Sequence, residues 1–167
     1  MKRLPLLLLA LSACGAQPGD EVRLPAGIEI VGLLPEEVGA VQITVLANAT
    51  AFLCGDIVKT CLNQKIAVGT DTVPIRGADG KERNALRETG FTAQKLTTEG
   101  LSFEISIPAG TNYMVVAEIL SSGASDAKLL ASGCEVRQQV IKGEDNEPLH
   151  IRAQPLDPVP SCDPRID

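Results

Sequence analysis

Short stretches in which apolar and polar residues alternate one by one recur along this chain. They constrain its fold more than any other feature. Between Leu101 and Ile107 every second residue is apolar, and the same alternation returns over 149–153. This period is typical of a strand with one buried side. The stretches are separated by turn-forming residues at intervals of roughly 8–12 residues. The sequence therefore predicts an all-β protein.

Ten strands are predicted between residues 27 and 153. They are 27–33, 40–48, 65–68, 72–76, 91–97, 101–107, 112–120, 128–131, 135–141 and 149–153. Strand 112–120 is apolar on both faces except at Glu118, which indicates a central position in a sheet. Strand 72–76 contains Pro74, which cannot donate a ladder hydrogen bond and so indicates a sheet edge. Short helical turns are predicted within 56–62 or 81–88.

Seven or more short strands with regular turns favour a two-sheet antiparallel β-sandwich. The segment 107–115, IPAGTNYMV, resembles the corner between two late strands of immunoglobulin-like, fibronectin-III-like and transthyretin-like sandwiches. The resemblance implies that the Tyr113 hydroxyl bonds the backbone just upstream, and that 101–107 and 113–120 are joined across the two sheets. The alternative is that Tyr113 is an ordinary core aromatic residue.

The first fifteen residues have the zones of a secretory signal. Lys2 and Arg3 precede an apolar run over 4–11, which ends at the small residues Ser12 and Ala13. The run is far shorter than the roughly 20 apolar residues that span a bilayer. We therefore expect an exported protein whose leader is removed.

The tetrapeptide Leu11-Ser12-Ala13-Cys14 resembles the lipobox of bacterial lipoproteins. That resemblance implies cleavage before Cys14, diacylglycerol on its sulfur and an acyl chain such as palmitate on the new amine. The residue directly after Cys14 is Gly15 and not Asp, which resembles the pattern of lipoproteins that are sent to the outer membrane. The alternative is an ordinary signal peptide cut near Ala13, which leaves Cys14 free.

These signals divide the chain into four parts: a signal peptide over 1–13, the acylated Cys14 with a short tether over 14–22, a β-sandwich domain over 23–153, and a Pro-rich tail over 154–167. A tether of fewer than ten residues reaches no more than ~30 Å. The predicted localisation is the cell envelope, with the domain held close to the outer membrane by lipid.

The remaining cysteines, Cys54, Cys61, Cys134 and Cys162, form an even set, which in an exported chain indicates disulfide bonds. Four cysteines allow three connectivities, and the sequence does not choose among them. The pairing we favour is Cys54–Cys61, closing a small loop, with Cys134–Cys162, holding the tail. A zinc site is disfavoured because there is no Cys-x-x-Cys spacing and only one histidine, His150.

Charge and composition exclude several classes of function. Without residues 1–13 the chain has 13 Lys and Arg against 21 Asp and Glu, a formal charge of −8 on 154 residues. Such a surface repels nucleic acid and anionic lipid headgroups. We therefore expect the protein to bind the membrane through its N-terminal lipid and not to bind nucleic acid. Aromatic residues make up 2% of the chain, too few for a surface that stacks sugars or bases.

No catalytic or cofactor motif is present in the sequence. The Gly-x-Ser-x-Gly, Walker, dinucleotide and EF-hand spacings are missing, and His150 is predicted on the exposed face of the last strand. The acidic turn that contains Glu144, Asp145 and Glu147 is expected to be solvated. We predict neither an enzyme nor a cofactor or metal.

One basic group remains as a candidate ligand site: Arg76, Lys81, Arg83 and Arg87, in and beside the charged stretch 77–90. Arginine and lysine there could bind a carboxylate or phosphate, although intervening acidic residues favour a solvated loop. The leading prediction is a lipid-anchored, non-catalytic structural or protein-binding module whose partner is another envelope protein. The alternative is a small-ligand or glycan-binding accessory lipoprotein that uses 77–90.

Overall fold

The protein is described from a computed structural model, which defines residues 21–58, 61–62, 72–76, 80–93, 101–124 and 126–160. Its strands are β1 (Glu21–Ile30), β2 (Ala40–Ala47), β3 (Thr72–Arg76), β4 (Glu82–Ala93), β5 (Leu101–Pro108), β6 (Gly110–Leu120), β7 (Leu129–Val140) and β8 (Leu149–Pro155). Short 3-10 turns lie at Pro35–Glu37 and Ala49–Ala51, and one helical turn, α1, at Cys54–Ile57. The all-β prediction is confirmed. No helix within these residues is long and apolar enough to cross a membrane.

The strands form one sheet in the order β3-β4-β2-β6-β7-β8-β1-β5, which curls into a half-barrel. Neighbours are antiparallel except β1 and β8, which run parallel. The sheet is therefore mixed, because the first strand inserts between the last strand and β5. The consecutive strands β5 and β6 are not neighbours in this order, although only Ala109 lies between them in the chain. The curl of the sheet therefore brings the end of the edge strand β5 next to the start of β6.

The main core lies inside the curl. It takes alternate residues of β1, β2, β5, β6 and β8, together with Ala131 and Val140 of β7, which is why the period-two pattern located most of the strands correctly. Its largest fully buried members include Leu24, Ile43, Ile107, Ile119, Leu149 and Ile151. Nearly all are aliphatic, as the low aromatic content requires. Burial of each such side chain contributes roughly 1.5–3 kcal/mol.

A second apolar layer covers the opposite face of the central strands. Ala49, Phe52, Ile57 and Leu62 pack there against residues of β2, β3 and β6. We call residues 49–58 and 61–62 the strap. Because of it all eight residues of β2 are buried, including Gln42 and Thr44, which the alternating pattern would place in water. The prediction that β6 is a central strand is confirmed, since residues 113–120 are all buried.

The predicted disulfide pairing is wrong. Cys54 in α1 is bonded to Cys134 on β7, with a sequence separation of 80 residues. The strap folds back over the sheet, so Cys54 meets β7 instead of closing a local loop with Cys61. Cys61 is also disulfide-bonded, and Cys162 lies outside the described residues. That all four cysteines are joined in two disulfide bonds therefore stays a prediction.

Of the two predicted helical turns, only the first is present. α1 at Cys54–Ile57 overlaps the predicted 56–62, whereas 81–88 lies largely in β4. The helix prediction was wrong there because β4 pairs with β2 on one side and β3 on the other. Two ladders of backbone hydrogen bonds outweigh the weak local preference of a charged stretch. β3 is an edge strand, as Pro74 indicated.

The described strands extend slightly beyond the predicted domain limits. β1 begins at Glu21, inside the predicted tether, and β8 ends at Pro155, inside the predicted tail. The described part of the tail, up to Pro160, then stays on the sheet: the Leu156 amide donates to Leu130 O at 2.9 Å, and the Leu129 amide donates to Pro160 O at 3.0 Å. The predicted lipidation site Cys14 and the predicted strand 65–68 lie outside the described residues.

Candidate functional site

The most unusual group in the described structure is a carboxylate buried beneath the strap. Glu118 lies at the middle of β6 with no exposed surface. Its Oε2 accepts a hydrogen bond from Gln42 Nε2 at 3.0 Å, and its Oε1 accepts one from the Leu62 amide at 2.8 Å. Gln42 stands directly opposite Glu118 on β2. One carboxylate therefore joins two strands of the sheet to the end of the strap.

Burial makes ionisation of this carboxyl costly. Desolvation raises the pKa of Glu118 from 4.5 to about 7, although the hydrogen bonds from Leu62 and Gln42 favour the charged form and lower the pKa in part. The side chain therefore changes charge near neutral pH. An unpaired buried charge is expensive, so the two donors are what makes the ionised form tolerable.

Ser132 extends this polar row onto β7. It is opposite Glu118 in the β6–β7 register and is 4% exposed. Within the described part of the chain, its hydroxyl oxygen has no hydrogen-bond partner. Side chains directly opposite each other on antiparallel strands are about 4.5–5.5 Å apart at Cβ. The Ser132 hydroxyl is thus a neighbour for the carboxyl of Glu118.

Tyr113 lies just after the connection between β5 and β6. Its hydroxyl donates to Pro108 O at 3.0 Å, while its ring is 5% exposed in the main core. Gly110 makes room for this contact, since a Cβ there would lie 2.7 Å from the tyrosine oxygen. The predicted bond from the hydroxyl to the upstream backbone is confirmed. It fixes the connection from β5 to β6.

We expect the substitution Tyr113→Phe to lower the free energy of unfolding by about 1 kcal/mol, the usual net value of one hydrogen bond. The phenyl ring keeps the core filled, so the loss reports the hydroxyl alone. Urea denaturation followed by circular dichroism measures it. A change below about 0.3 kcal/mol, well under that usual value, would show that the corner bond does not stabilise the fold.

The four basic residues of the candidate ligand site lie on or beside β3 and β4. Arg76 is opposite Glu82 and Arg83 is opposite Ile75 in the β3–β4 register. Lys81 precedes β4 and is exposed, and Arg83 Nη1 donates to Lys81 O at 3.5 Å. Arg87 is opposite Leu46 of β2. Within the described residues, 82–90 of this stretch belong to β4.

His150 is exposed on β8, as predicted, and lines a shallow depression of about 270 Å³ on the outer sheet face. The depression also contains Gly27, Ser102 and the exposed pair Glu29–Arg152, whose closest N and O atoms are 3.7 Å apart. Opposite charges already face each other there. The arrangement gives the depression no net charge preference.

The acidic turn after β7 is organised by an amide side chain. Asn146 Oδ1 accepts from the Ile141 amide at 3.0 Å, and its Nδ2 donates to Ile141 O at 2.9 Å. Glu144, Asp145 and Glu147 surround it on the exposed surface. Over the residues that the structure defines, no group of three or more His, Cys, Asp or Glu could hold a metal ion.

Comparison with known proteins found no matching family model, no matching curated protein and no matching solved structure.

Sequence reasoning missed Glu118 as a buried group. The available signal was a single charged residue in a strand that is apolar on both faces. The strap buries Glu118, and its position cannot be read from the sequence of β6. An alternating pattern does not distinguish a polar residue that faces water from one that faces another segment of the chain.

Proposed function

We propose that this protein is a lipid-anchored component of the bacterial cell envelope, in which a non-catalytic β domain serves as a structural or protein-binding module. The observation that carries the proposal is the lipobox-like sequence ending at Cys14, followed after only six residues by Glu21, the first residue of β1. Seven chain steps reach about 25 Å. The domain would therefore sit directly at the membrane surface.

The architecture that we propose for the domain is a β-sandwich. Main-core residues of β1, β5 and β8 pack with those of β2 and β6, and the Tyr113 corner joins the two halves. This arrangement supports a sandwich of the immunoglobulin-like or transthyretin-like kind, with the curl of the sheet bringing its halves together.

A binding role rests on where the polar surface lies. Both faces of the central strands are covered by the chain itself. The surface left for a partner consists of the outer strands and the turns. Those elements carry exposed charged residues of both signs, such as Arg23, Glu29, Glu104 and Arg152. A partner protein with a polar, charged contact surface fits them better than an apolar ligand does.

Metabolic labelling with radioactive palmitate tests the anchor. We expect the full chain to carry the label in a Gram-negative host and to remain with membranes after a carbonate wash. The substitution Cys14→Ser removes both properties, because no thiol remains for the lipid. Ser12→Ala is the matched control: it keeps a small residue before the cut site, so the label stays. An unlabelled wild-type protein would contradict the proposal.

The binding role is tested by capture from detergent-solubilised envelope on the tagged mature domain. Recovery of one defined envelope protein, lost when Glu29 and Arg152 are both replaced by alanine, supports a binding module at that surface. Clean failure under several growth conditions leaves the structural role.

Binding of a small ligand or glycan through 77–90 remains the alternative. It predicts that a glycan phosphate or carboxylate binds the mature domain and that replacing Arg83 and Arg87 together by alanine abolishes that binding while the fold survives. Binding that is unchanged in the double variant rules out this use of the stretch.

A further inference from the structure

Strand β7 separates from its neighbour β8 along its length. Within the described residues the two strands pair at Ala131 and Ser132, whereas β7 stays paired with β6 as far as Val140. At Gly133 the backbone carbonyl of Arg152 lies where a Cβ would stand. Because a Cβ projects from the face of a strand and not from its edge, β8 has moved onto the face of β7. Among the described strands, none then lies beside the edge of β7 over 134–138.

Every second residue of this edge turns its backbone N–H and C=O toward the open side. The Leu156 amide donates to Leu130 O, which brackets the pair Ala131–Pro155 and makes it a pair without direct hydrogen bonds. The next pair, at Ser132, is therefore the hydrogen-bonded kind, and the alternation continues along the strand. The backbone groups that face the open side belong to Cys134, Val136 and Gln138. In the part of the chain that the structure describes, no other strand or turn bonds to them.

The sequence of this edge does not protect it from a further strand. Exposed sheet edges are usually blocked by lysine, proline or a β-bulge. The stretch 134–139, CEVRQQ, contains no lysine or proline, and no register shift interrupts its pairing with β6. Val136 is 44% exposed, and Gln138 and Gln139 are exposed beside it. The edge is therefore accessible to a strand from another chain.

We propose that this edge pairs with the same edge of a second copy of the protein, in a two-fold antiparallel dimer centred on Val136. The outward backbone groups match when Val136 lies opposite Val136 of the second copy and Cys134 lies opposite its Gln138. In this register Glu135 faces Arg137 of the second copy, and Arg137 faces its Glu135. The two exposed valine side chains meet at the axis on one face of the sheet, and two pairs of opposite charge flank the axis on the other.

Charge selects this register among those that the backbone allows. A shift of two residues in one direction places two Glu135 side chains opposite each other, and the reverse shift does the same to Arg137. Like charges directly opposite each other are destabilising, whereas opposite charges stabilise a cross-strand pair. Arg137 is able to bind a second carboxylate, since its bonds to Glu135 Oε1 and Pro148 O both use Nη2 and a guanidinium has five N–H donors. This self-complementarity favours a second copy over a strand of another protein.

Oxidative cross-linking of the full chain, as recovered from expressing bacteria, tests the dimer and its register. In Val136→Cys the two introduced thiols lie opposite each other, at a Cα separation of about 5.5 Å that suits a disulfide bond. In the matched control Gln138→Cys they are about 14 Å apart, because four residues separate them along the strands. Copper phenanthroline should therefore join two copies of Val136→Cys about tenfold more efficiently than two copies of the control. Peptide mass identifies the new bond and verifies that Cys54–Cys134 is intact.

Val136→Pro gives an independent check that leaves the fold in place. The N–H that it removes points away from β6, so proline is compatible with this edge. We expect the variant to keep the native circular dichroism spectrum. Native mass spectrometry should show a concentration-dependent dimer for the wild type and its loss in the variant. Neither readout depends on a lipid at Cys14.

Three results would overturn the proposal. Equal cross-linking of the two cysteine variants shows random collision and not a fixed register. A bond from Val136→Cys to a different envelope protein shows that the edge takes a strand from another partner. A wild-type protein that stays a single copy at every concentration shows that the edge does not pair with itself.

Discussion

The free energy of unfolding is expected to fall by roughly 3 kcal/mol as the pH rises from 4 to 9, and Glu118 is the cause. Its pKa is raised from 4.5 to about 7 in the folded protein, so the folded state holds this proton more tightly than the unfolded state does. Between these two values the unfolded chain loses the proton first, and ionisation then favours unfolding. The full stability contribution is present below pH 4.5, is lost progressively up to about pH 7, and stays lost above it. Each pH unit within the window is worth about 1.4 kcal/mol.

The substitution Glu118→Gln tests the assignment, because an amide keeps the size and an oxygen acceptor for the Leu62 amide but does not titrate. Urea unfolding at several pH values should give a flatter profile between pH 4.5 and 7 for this variant than for the wild type. Glu104→Gln is the matched control, since Glu104 is exposed on β5 and its loss should leave the slope in place. A profile that is equally steep in Glu118→Gln and the wild type would show that another group is responsible.

Replacing Gly133 by alanine is expected to lower the free energy of unfolding by about 3 kcal/mol. Gly133 lies on β7 beside β8, and a Cβ there would overlap the backbone carbonyl of Arg152. Backbone cannot move aside as a flexible side chain can, so the two strands must separate. Overpacking of this kind typically costs 1–3 kcal/mol, and the lost β7–β8 bonds place the effect at the upper end.

Gly27→Ala supplies the matched control for this effect. Gly27 is also a strand glycine, on β1, but nothing lies within 4 Å of the position its Cβ would take. Alanine there should be neutral or stabilise by up to about 1 kcal/mol, because it reduces the freedom of the unfolded chain. Thermal unfolding of the two variants beside the wild type measures the difference. Equal stabilities would mean that β7 and β8 do not approach as closely as the structure places them.

The parts of this fold that follow from local pattern could be predicted from the sequence. The alternation at Leu101–Pro108 and Leu149–Pro155 reports one buried side, and the apolar character of both faces of β6 reports a central strand. The hydrogen bond of Tyr113 to Pro108 follows from a turn and an aromatic residue close together in the chain. In each case the residues that determine the structure are neighbours in sequence.

The features of the structure that were not predicted from the sequence depend on residues far apart in the chain. Cys54 pairs with a cysteine 80 residues away, and no local signal states which segment folds over which strand. Residues 81–88 were one of two stretches in which a short helical turn was predicted, but the partner strands decide their conformation. Glu118 looked like a solvated residue because the strap that buries it comes from another part of the sequence. The missing information is which distant segments of the chain pack against each strand, and local propensity does not contain it.

The central proposal is that this β domain is tethered to a membrane through a modified Cys14. The direct measurement is the mass of the N-terminal peptide of the protein extracted in detergent from the envelope of an expressing bacterium. The account predicts a peptide that begins at Cys14 and carries the added mass of a diacylglyceryl group, with or without a further acyl chain on its amine. A peptide that still begins at Met1, or an unmodified Cys14, would contradict it.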